Sequence, residues 1–162
     1  SVERAEREKQ FADLAQWLLF GLLDFNYICE SLLPSQSEPR HADKFQVGEM
    51  AYDVVIVPAL RTIRATTLER LRHFAAAGGT VIFLGETPSL VDASPSGEPT
   101  LLAAQCRRIA FTQTSLLREL ERFREIEIRH ENATPADSLL YQLRQDGASR
   151  YVFVCNTDRV HA

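Results

Sequence analysis

Two short runs of aliphatic residues constrain the fold of this chain more than any other feature of its sequence. The first, Val54–Val57, lies within the predicted strand Tyr52–Leu60, where Pro58 interrupts the ladder of hydrogen bonds. The second forms most of the predicted strand Thr80–Leu84. Because neither run leaves a polar face, each predicts a strand that is buried on both sides, as in a parallel sheet.

A helical pattern connects the two runs. Its apolar residues recur at spacings of three and four: Leu68, Leu71, Phe74 and Ala75. Thr66 or Thr67 is the predicted N-cap, since Thr66 and Glu69 have the spacing of a capping box. The pair Gly78-Gly79 predicts the end of the helix, with one glycine in the left-handed conformation. We therefore predict a βαβ unit over Asp53–Leu84, with the right-handed crossover that such units almost always have.

The remaining elements are shorter. We predict helices at Val2–Leu23, Leu101–Arg107 and Ser115–Arg124, short strands or extended segments at Asp24–Leu33, Phe45–Val47, Ile109–Thr112 and Glu125–His130, and loops at Pro34–Asp43 and Thr87–Thr100. Two extended runs, Ser138–Gln145 and Arg150–Asn156, flank the tetrapeptide Asp146-Gly147-Ala148-Ser149. Because Asp-Gly between apolar runs favours a tight turn, this region predicts a β-hairpin.

These elements together predict an α/β fold. We expect residues 1–136 to form a three-layer α/β/α sandwich with a mostly parallel, flavodoxin-like sheet. Residues 137–162 are expected to form a C-terminal β-hairpin, either as the edge of that sheet or as the start of a following β-sandwich.

Composition excludes several classes of protein. With 162 residues, 45% of them hydrophobic and 25% charged, the chain has the composition of a globular domain. Its net charge of -4 disfavours a general nucleic-acid binder, which usually carries a basic face. No apolar run reaches the roughly 18 residues that span a bilayer, and the charged N-terminal residues do not resemble a signal peptide. We therefore expect neither nucleic acid nor membrane as a partner.

The three cysteines, Cys29, Cys106 and Cys155, are odd in number and widely spaced. No C-x-x-C pair is present, and no histidine stands at metal-ligand spacing from a cysteine. The pattern predicts three free thiols, mostly buried, and favours a reducing compartment such as the cytoplasm. It implies no metal and no cofactor.

The candidate binding residues follow the two aliphatic strands. Arg61 and Arg64 come after the first strand, and Glu86 comes after the second. Flavodoxin-like sheets bind ligands outside the carboxyl ends of their strands, so these three side chains could hold a polar ligand such as a sugar or an anion. The alternative interpretation is an exposed salt bridge or a set of solvated loop charges.

No catalytic signature accompanies these residues. The sequence contains no G-x-G-x-x-G after a strand, no P-loop and no G-x-S-x-G. Glycoside hydrolysis needs two carboxyl groups placed across one bond. The carboxylates Glu30, Asp53, Glu86 and Asp92 show no spacing that builds such a pair.

A family resemblance is carried by three segments: Tyr52–Pro58, Thr67–Leu71 and Ala77–Gly85. They resemble the glutamine-amidotransferase-like, flavodoxin-type domain found inside large glycoside hydrolases, of which the β-galactosidase trimerisation domain is the best-known member. Leu23–Ile28 is similar to the segment that follows the first helix of those domains. Leu140–Arg144 and Tyr151–Asn156 are similar to the hairpin that leads into their next β-sandwich.

The chain departs from that family in two places. True amidotransferases carry a nucleophilic cysteine at the turn after the second aliphatic strand, whereas this turn has the sequence Gly85-Glu86-Thr87. A glutamate cannot supply a thiolate nucleophile, so amidotransferase activity is not expected. The family also has a strand before its first helix, and the predicted helix Val2–Leu23 has none before it.

The resemblance implies a non-catalytic structural or oligomerisation domain of a larger carbohydrate-active enzyme, a glycoside hydrolase. Its partners would be the catalytic and β-sandwich domains of the parent enzyme and further copies of the chain. Two alternatives stay open: a small-molecule binding module that uses Arg61, Arg64 and Glu86, and a divergent hydrolase of the amidotransferase superfamily. The hydrolase interpretation requires a histidine near Glu86.

Overall fold

A computed structural model describes residues 2–36 and 43–159 and shows a mixed α/β chain. In chain order, its elements are α1 (Val2–Phe20), a 3-10 helix (Leu33–Gln36), β1 (Phe45–Val47), β2 (Met50–Tyr52), β3 (Val54–Val57), β4 (Thr62–Ile63), α2 (Ala65–Ala76), β5 (Thr80–Leu84), β6 (Leu90–Val91), β7 (Ser94–Pro95), α3 (Glu98–Gln105), β8 (Arg107–Ile109), α4 (Gln113–Leu120), a second 3-10 helix (Glu121–Phe123), β9 (Leu139–Asp146) and β10 (Ser149–Asn156). None of the helices in the described ranges is long and apolar enough to cross a bilayer.

The chain divides into two compact units. One comprises Tyr27–Leu116 and holds the parallel sheet. The other comprises Ser1–Asn26 together with Leu117–Ala162 and holds α1 and the hairpin of β9 and β10. The predicted division at residues 136 and 137 stays a prediction.

The parallel sheet has the strand order β3-β5-β8, and both pairings are parallel. Val54 pairs with Thr80 and Val57 with Phe83, so the two aliphatic runs lie side by side in the same direction. The predicted strand–helix–strand order with parallel pairing is therefore confirmed, whereas the right-handed crossover stays a prediction. Parallel neighbours need a crossover, and α2 supplies it.

Both faces of the central strand β5 are buried. Val81 and Phe83 join a hydrophobic cluster with residues of α2, and they are 2% and 0% exposed. Ile82 and Leu84 lie on the opposite face by the alternation of a strand, and both are 0% exposed although they lie outside that cluster. The continuous apolar sequence of this strand thus reflects burial on two sides.

The structure agrees with the predicted C-terminal end of α2 but not with its predicted N-terminal cap. The C-terminal end is confirmed: Gly78 has φ +90, and the N–H groups of Gly78 and Gly79 donate to the carbonyls of Ala75 and Phe74 in a Schellman motif. The predicted capping box of Thr66 and Glu69 is wrong. The N-cap residue is Arg64, whose side chain makes no cap, and Thr66 and Thr67 lie in the first helical turn.

Several shorter predictions are corrected by the structure. The segment Thr87–Thr100, predicted as a loop, contains β6, β7 and the start of α3; β6 pairs with β4 in parallel and with β7 antiparallel. Of the two alternatives predicted for Asp24–Leu33, a short strand or an extended segment, the strand is wrong, and Glu125–His130 contributes only a single bridge, from Arg129 to Pro135. Of the predicted loop Pro34–Asp43, residues 34–36 belong to a 3-10 helix and residues 37–42 lie outside the described ranges.

The C-terminal hairpin is confirmed. β9 and β10 pair antiparallel over eight residues each, from Asp146 opposite Ser149 to Leu139 opposite Asn156. Gly147 has φ +57, a backbone conformation that a glycine adopts without steric cost. In the described residues the hairpin is a two-stranded sheet of its own.

Candidate functional site

The carboxyl edge of the parallel sheet is the expected position for a ligand. Gly85 follows β5 there with φ +82, and its N–H donates to the carbonyl of Ile109 at 2.9 Å. A Cβ on Gly85 would lie 3.1 Å from the Cβ of Phe111 and 3.5 Å from that of Ala59. The edge beyond the central strand is therefore narrow and flanked by apolar side chains.

Glu86 and Thr87 complete the turn after β5. The Glu86 side chain is exposed, whereas the Thr87 hydroxyl is buried without a hydrogen-bond partner among the described residues. The turn thus carries a glutamate, whereas true amidotransferases would carry a cysteine nucleophile.

Backbone groups of both predicted arginines make hydrogen bonds. The carbonyl of Arg61 accepts hydrogen bonds from the N–H groups of Ser89 and Leu90, at 3.2 Å each. The N–H of Arg64 donates to the Glu30 carboxylate at 2.9 Å. The structure thus brings the Arg64 backbone together with Glu30 at the start of α2, and the exposed Glu86 lies in the turn beyond β5.

Two carboxylates from distant segments cap α2. Besides the bond from Arg64 to Glu30, the N–H of Ala65 donates to Asp92 Oδ1 at 3.3 Å. Negative charge at this end of a helix is stabilised by the helix dipole. These carboxylates accept hydrogen bonds from the N–H groups of Arg64 and Ala65, two backbone donors of the kind that a bound anion uses at a helix N-terminus.

The three thiols are free, as predicted, but they are not mostly buried: Cys29 and Cys155 are exposed and Cys106 is half-buried. The Cys29 Sγ lies 3.1 Å from the Ser31 hydroxyl oxygen. Hydrogen bonds from Ser31, and then from the Leu32 backbone, lower the pKa of the Cys29 thiol, and the positive charge of Arg64 contributes in the same direction. Burial raises the pKa of Cys106.

Metal-binding clusters and surface depressions are two further kinds of feature that could mark a site among the described residues. Among the described residues, no group of three or more His, Cys, Asp or Glu side chains could hold a metal ion. A shallow depression beside α4 is lined by charged residues alone: Arg118, Glu119, Glu121 and Arg122. Such a surface lacks the apolar lining that small-molecule pockets usually have.

The hairpin carries the most unusual surface. In β10, four consecutive large apolar residues are more than half exposed: Tyr151 51%, Val152 51%, Phe153 60% and Val154 53%. The strand alternates, so Tyr151 and Phe153 lie on one face and Val152 and Val154 on the other. The sequence predicted this hairpin but not its exposure. Apolar residues lie on both faces of β10, so the sequence pattern does not show which face is covered.

We define the aromatic face of the hairpin as Tyr151, Phe153, Arg144 and Gln142; the register places Arg144 opposite Tyr151 and Gln142 opposite Phe153. All four side chains are exposed.

We define the valine face as Val152 and Val154 with their partners Leu143 and Tyr141. Leu143 and Tyr141 are half-buried, and burial followed by the charges of Asp24 and Glu125 raises the pKa of Tyr141. The valine face is therefore half-buried along β9 and exposed along β10.

No family model matches the chain, and neither curated proteins nor solved structures give a match. The resemblance to amidotransferase-like domains therefore stays an expectation from the sequence.

Proposed function

We propose that this chain is a non-catalytic structural domain of a larger carbohydrate-active enzyme, a glycoside hydrolase. In this proposal, it braces the parent's catalytic and β-sandwich domains and contributes contacts between copies of the enzyme. The segments that resemble amidotransferase-like domains support the enzyme class, and the surface of the hairpin supports the contact role.

The exposed strand β10 is the observation that carries the proposal. Within the described residues β10 pairs with β9 alone, so one edge of the strand keeps unpaired N–H and C=O groups. Val152 and Val154 extend the valine face along that edge and are 51% and 53% exposed. A regular strand edge beside exposed apolar side chains is suited to strand addition by a second polypeptide.

The parallel sheet supports a scaffold role and the finer fold that we propose with it. Buried residues on both faces of β5 are typical of a sheet covered by helices on two sides, as in an α/β/α sandwich. The Gly85-Glu86-Thr87 turn carries no thiol, which supports a domain without amidotransferase chemistry.

Light scattering over a range of concentrations tests the contact role. We expect the chain to self-associate, and Val152→Asp with Val154→Asp to shift it to monomer, because an unpaired carboxylate is costly to bury in an apolar interface. Leu101→Asp is the matched control, since Leu101 is an apolar residue of α3 that is 67% exposed. A chain that stays monomeric at every concentration, and that the double substitution does not change, would contradict the contact role.

A further inference from the structure

We propose that the aromatic face of the hairpin binds a neutral polysaccharide by stacking sugar rings on Tyr151 and Phe153. The choice of ligand class rests on the proposed function, whereas the site itself is a separate surface. The aromatic face lies on the opposite side of β10 from Val152 and Val154, which carry the proposed protein contact.

The geometry provides two neighbouring aromatic rings on an open sheet. Tyr151 and Phe153 are two residues apart on one strand, so their Cα atoms are separated by about 7 Å on the same face. Their side chains are 51% and 60% exposed, and so they contribute little to packing within their own unit. Aromatic side chains of this size are normally buried, and their exposure as a pair indicates a binding surface.

Each ring has a polar side chain as its cross-strand neighbour on the same face. Arg144 lies directly opposite Tyr151, and Gln142 lies directly opposite Phe153, at the cross-strand Cβ spacing of about 5 Å. A sugar ring has an apolar face of C–H groups and a rim of hydroxyls. The aromatic rings can stack against that face, while the amide and the guanidinium can donate hydrogen bonds to the hydroxyls.

The charge of this surface favours a neutral chain over a polyanion. By the alternation of β9, Arg144 and Asp146 lie on the same face, so their formal charges cancel. Single-stranded nucleic acid also stacks on aromatic side chains, but it requires a positively charged groove, and the whole chain has a net charge of -4. A neutral polysaccharide meets no such electrostatic penalty.

Affinity electrophoresis in native gels tests the proposal. Galactomannan, xyloglucan and mixed-linkage β-glucan are cast separately into gels, with polygalacturonate and a thymidine oligonucleotide as anionic probes. We expect at least one neutral polymer to retard the chain. Tyr151→Ala and Phe153→Ala should each weaken binding about two- to tenfold, the range that corresponds to the loss of one aromatic contact.

Leu101→Ala and Met50→Ala are the matched controls, because they change comparably exposed apolar residues that lie outside the hairpin and outside the proposed protein contact. They should leave the retardation unchanged. The proposal is overturned if no neutral polymer retards the chain, if only an anionic probe does, or if the Leu101 and Met50 variants lose as much binding as the aromatic ones. Light scattering on the aspartate variants decides the contact role separately, so failure of one proposal does not imply failure of the other.

Discussion

The strands β5 and β10 are built from similar residues and meet opposite surroundings. Each combines β-branched and aromatic side chains, which favour the strand conformation. In β5, the residues Val81–Leu84 are at most 2% exposed, whereas in β10 the residues Tyr151–Val154 are at least 51% exposed. The contrast shows that local composition selects the strand, while the neighbours of the strand decide whether its side chains stabilise the fold or remain open for binding.

The largest test of this contrast compares one phenylalanine from each strand. Phe83 is 0% exposed and Phe153 is 60% exposed. We expect Phe83→Ala to lower the free energy of unfolding by about 3–5 kcal/mol, since it removes buried apolar surface and leaves a cavity. Phe153→Ala should change it by less than about 0.5 kcal/mol. Urea unfolding followed by circular dichroism measures both.

Hydrogen exchange in each variant locates the effect within the chain. With Phe83→Ala we expect faster exchange at the amides of β3 and β5, which pair in the same sheet. Comparable losses of stability in the two variants would mean that the hairpin also depends on its aromatic side chains for packing, and the contrast between the strands would be refuted.

A smaller effect is expected from the glycines that precede these strands. A Cβ on Gly79, just before β5, would lie 2.1–2.4 Å from the ring atoms of Phe74. We expect Gly79→Ala to destabilise the protein by about 1–3 kcal/mol through overpacking. Gly147, in the hairpin turn, has open space around it but a φ of +57, so Gly147→Ala should cost only about 1 kcal/mol of backbone strain.

Thermal unfolding of the two alanine variants measures this difference. Gly97→Ala serves as the control, because Gly97 has an ordinary φ of -87 and no atom within 4 Å of its ideal Cβ. If Gly147→Ala lowered the melting temperature more than Gly79→Ala, the hairpin turn would be packed more tightly than the structure shows.

The sequence predicted the elements whose signals are local. Val54–Val57 and Thr80–Leu84 have unbroken apolar sequences that a buried parallel strand requires, and Gly78-Gly79 is a local stop for the helix between them. The hairpin followed from Asp146-Gly147 between two apolar runs. Each of these segments contains enough information within a few residues to select its own conformation.

The predictions of secondary structure failed where the residues that determine the conformation are distant in the sequence, or where the local pattern is too short or finds no paired strand. The caps of α2 come from Glu30 and Asp92, which accept hydrogen bonds from backbone N–H groups 34 and 27 residues away in the sequence. The local spacing of Thr66 and Glu69 was therefore misleading. The strands β6 and β7 have two residues each, which is too short for a period to be visible. The alternating segment Glu125–His130 has no paired strand in the described structure beyond one bridge.

For the candidate site, the sequence predicted only its position at the edge of the parallel sheet. The general rule for parallel sheets predicted a ligand site at the edge beyond β3 and β5, and Ala59 and Gly85 come together at that edge. It could not show that apolar side chains flank that edge or that the Arg64 backbone is engaged by Glu30. Exposure of the aromatic face was also beyond prediction, since it depends on how much of the hairpin its own unit covers.

The smallest expected effect concerns the reactivity of the thiols. It tests whether burial alone sets the pKa of a cysteine side chain. Cys106 is half-buried, and burial raises its pKa, whereas the exposed Cys29 has its pKa lowered by hydrogen bonds from Ser31. Since the thiolate is the reactive form, Cys29 should react with iodoacetamide at a lower pH than Cys106.

The pH at which the alkylation rate reaches half its maximum, followed by mass spectrometry of each cysteine, measures this order. Ser31→Ala should move that pH upward for Cys29, because it removes the hydroxyl that lies 3.1 Å from Sγ and stabilises the thiolate. The same substitution should leave Cys106 unchanged, since burial raises the pKa of that thiol. Equal shifts at both cysteines would point to a general loosening of the fold, and no shift at Cys29 would mean that the Ser31 hydroxyl does not set its reactivity.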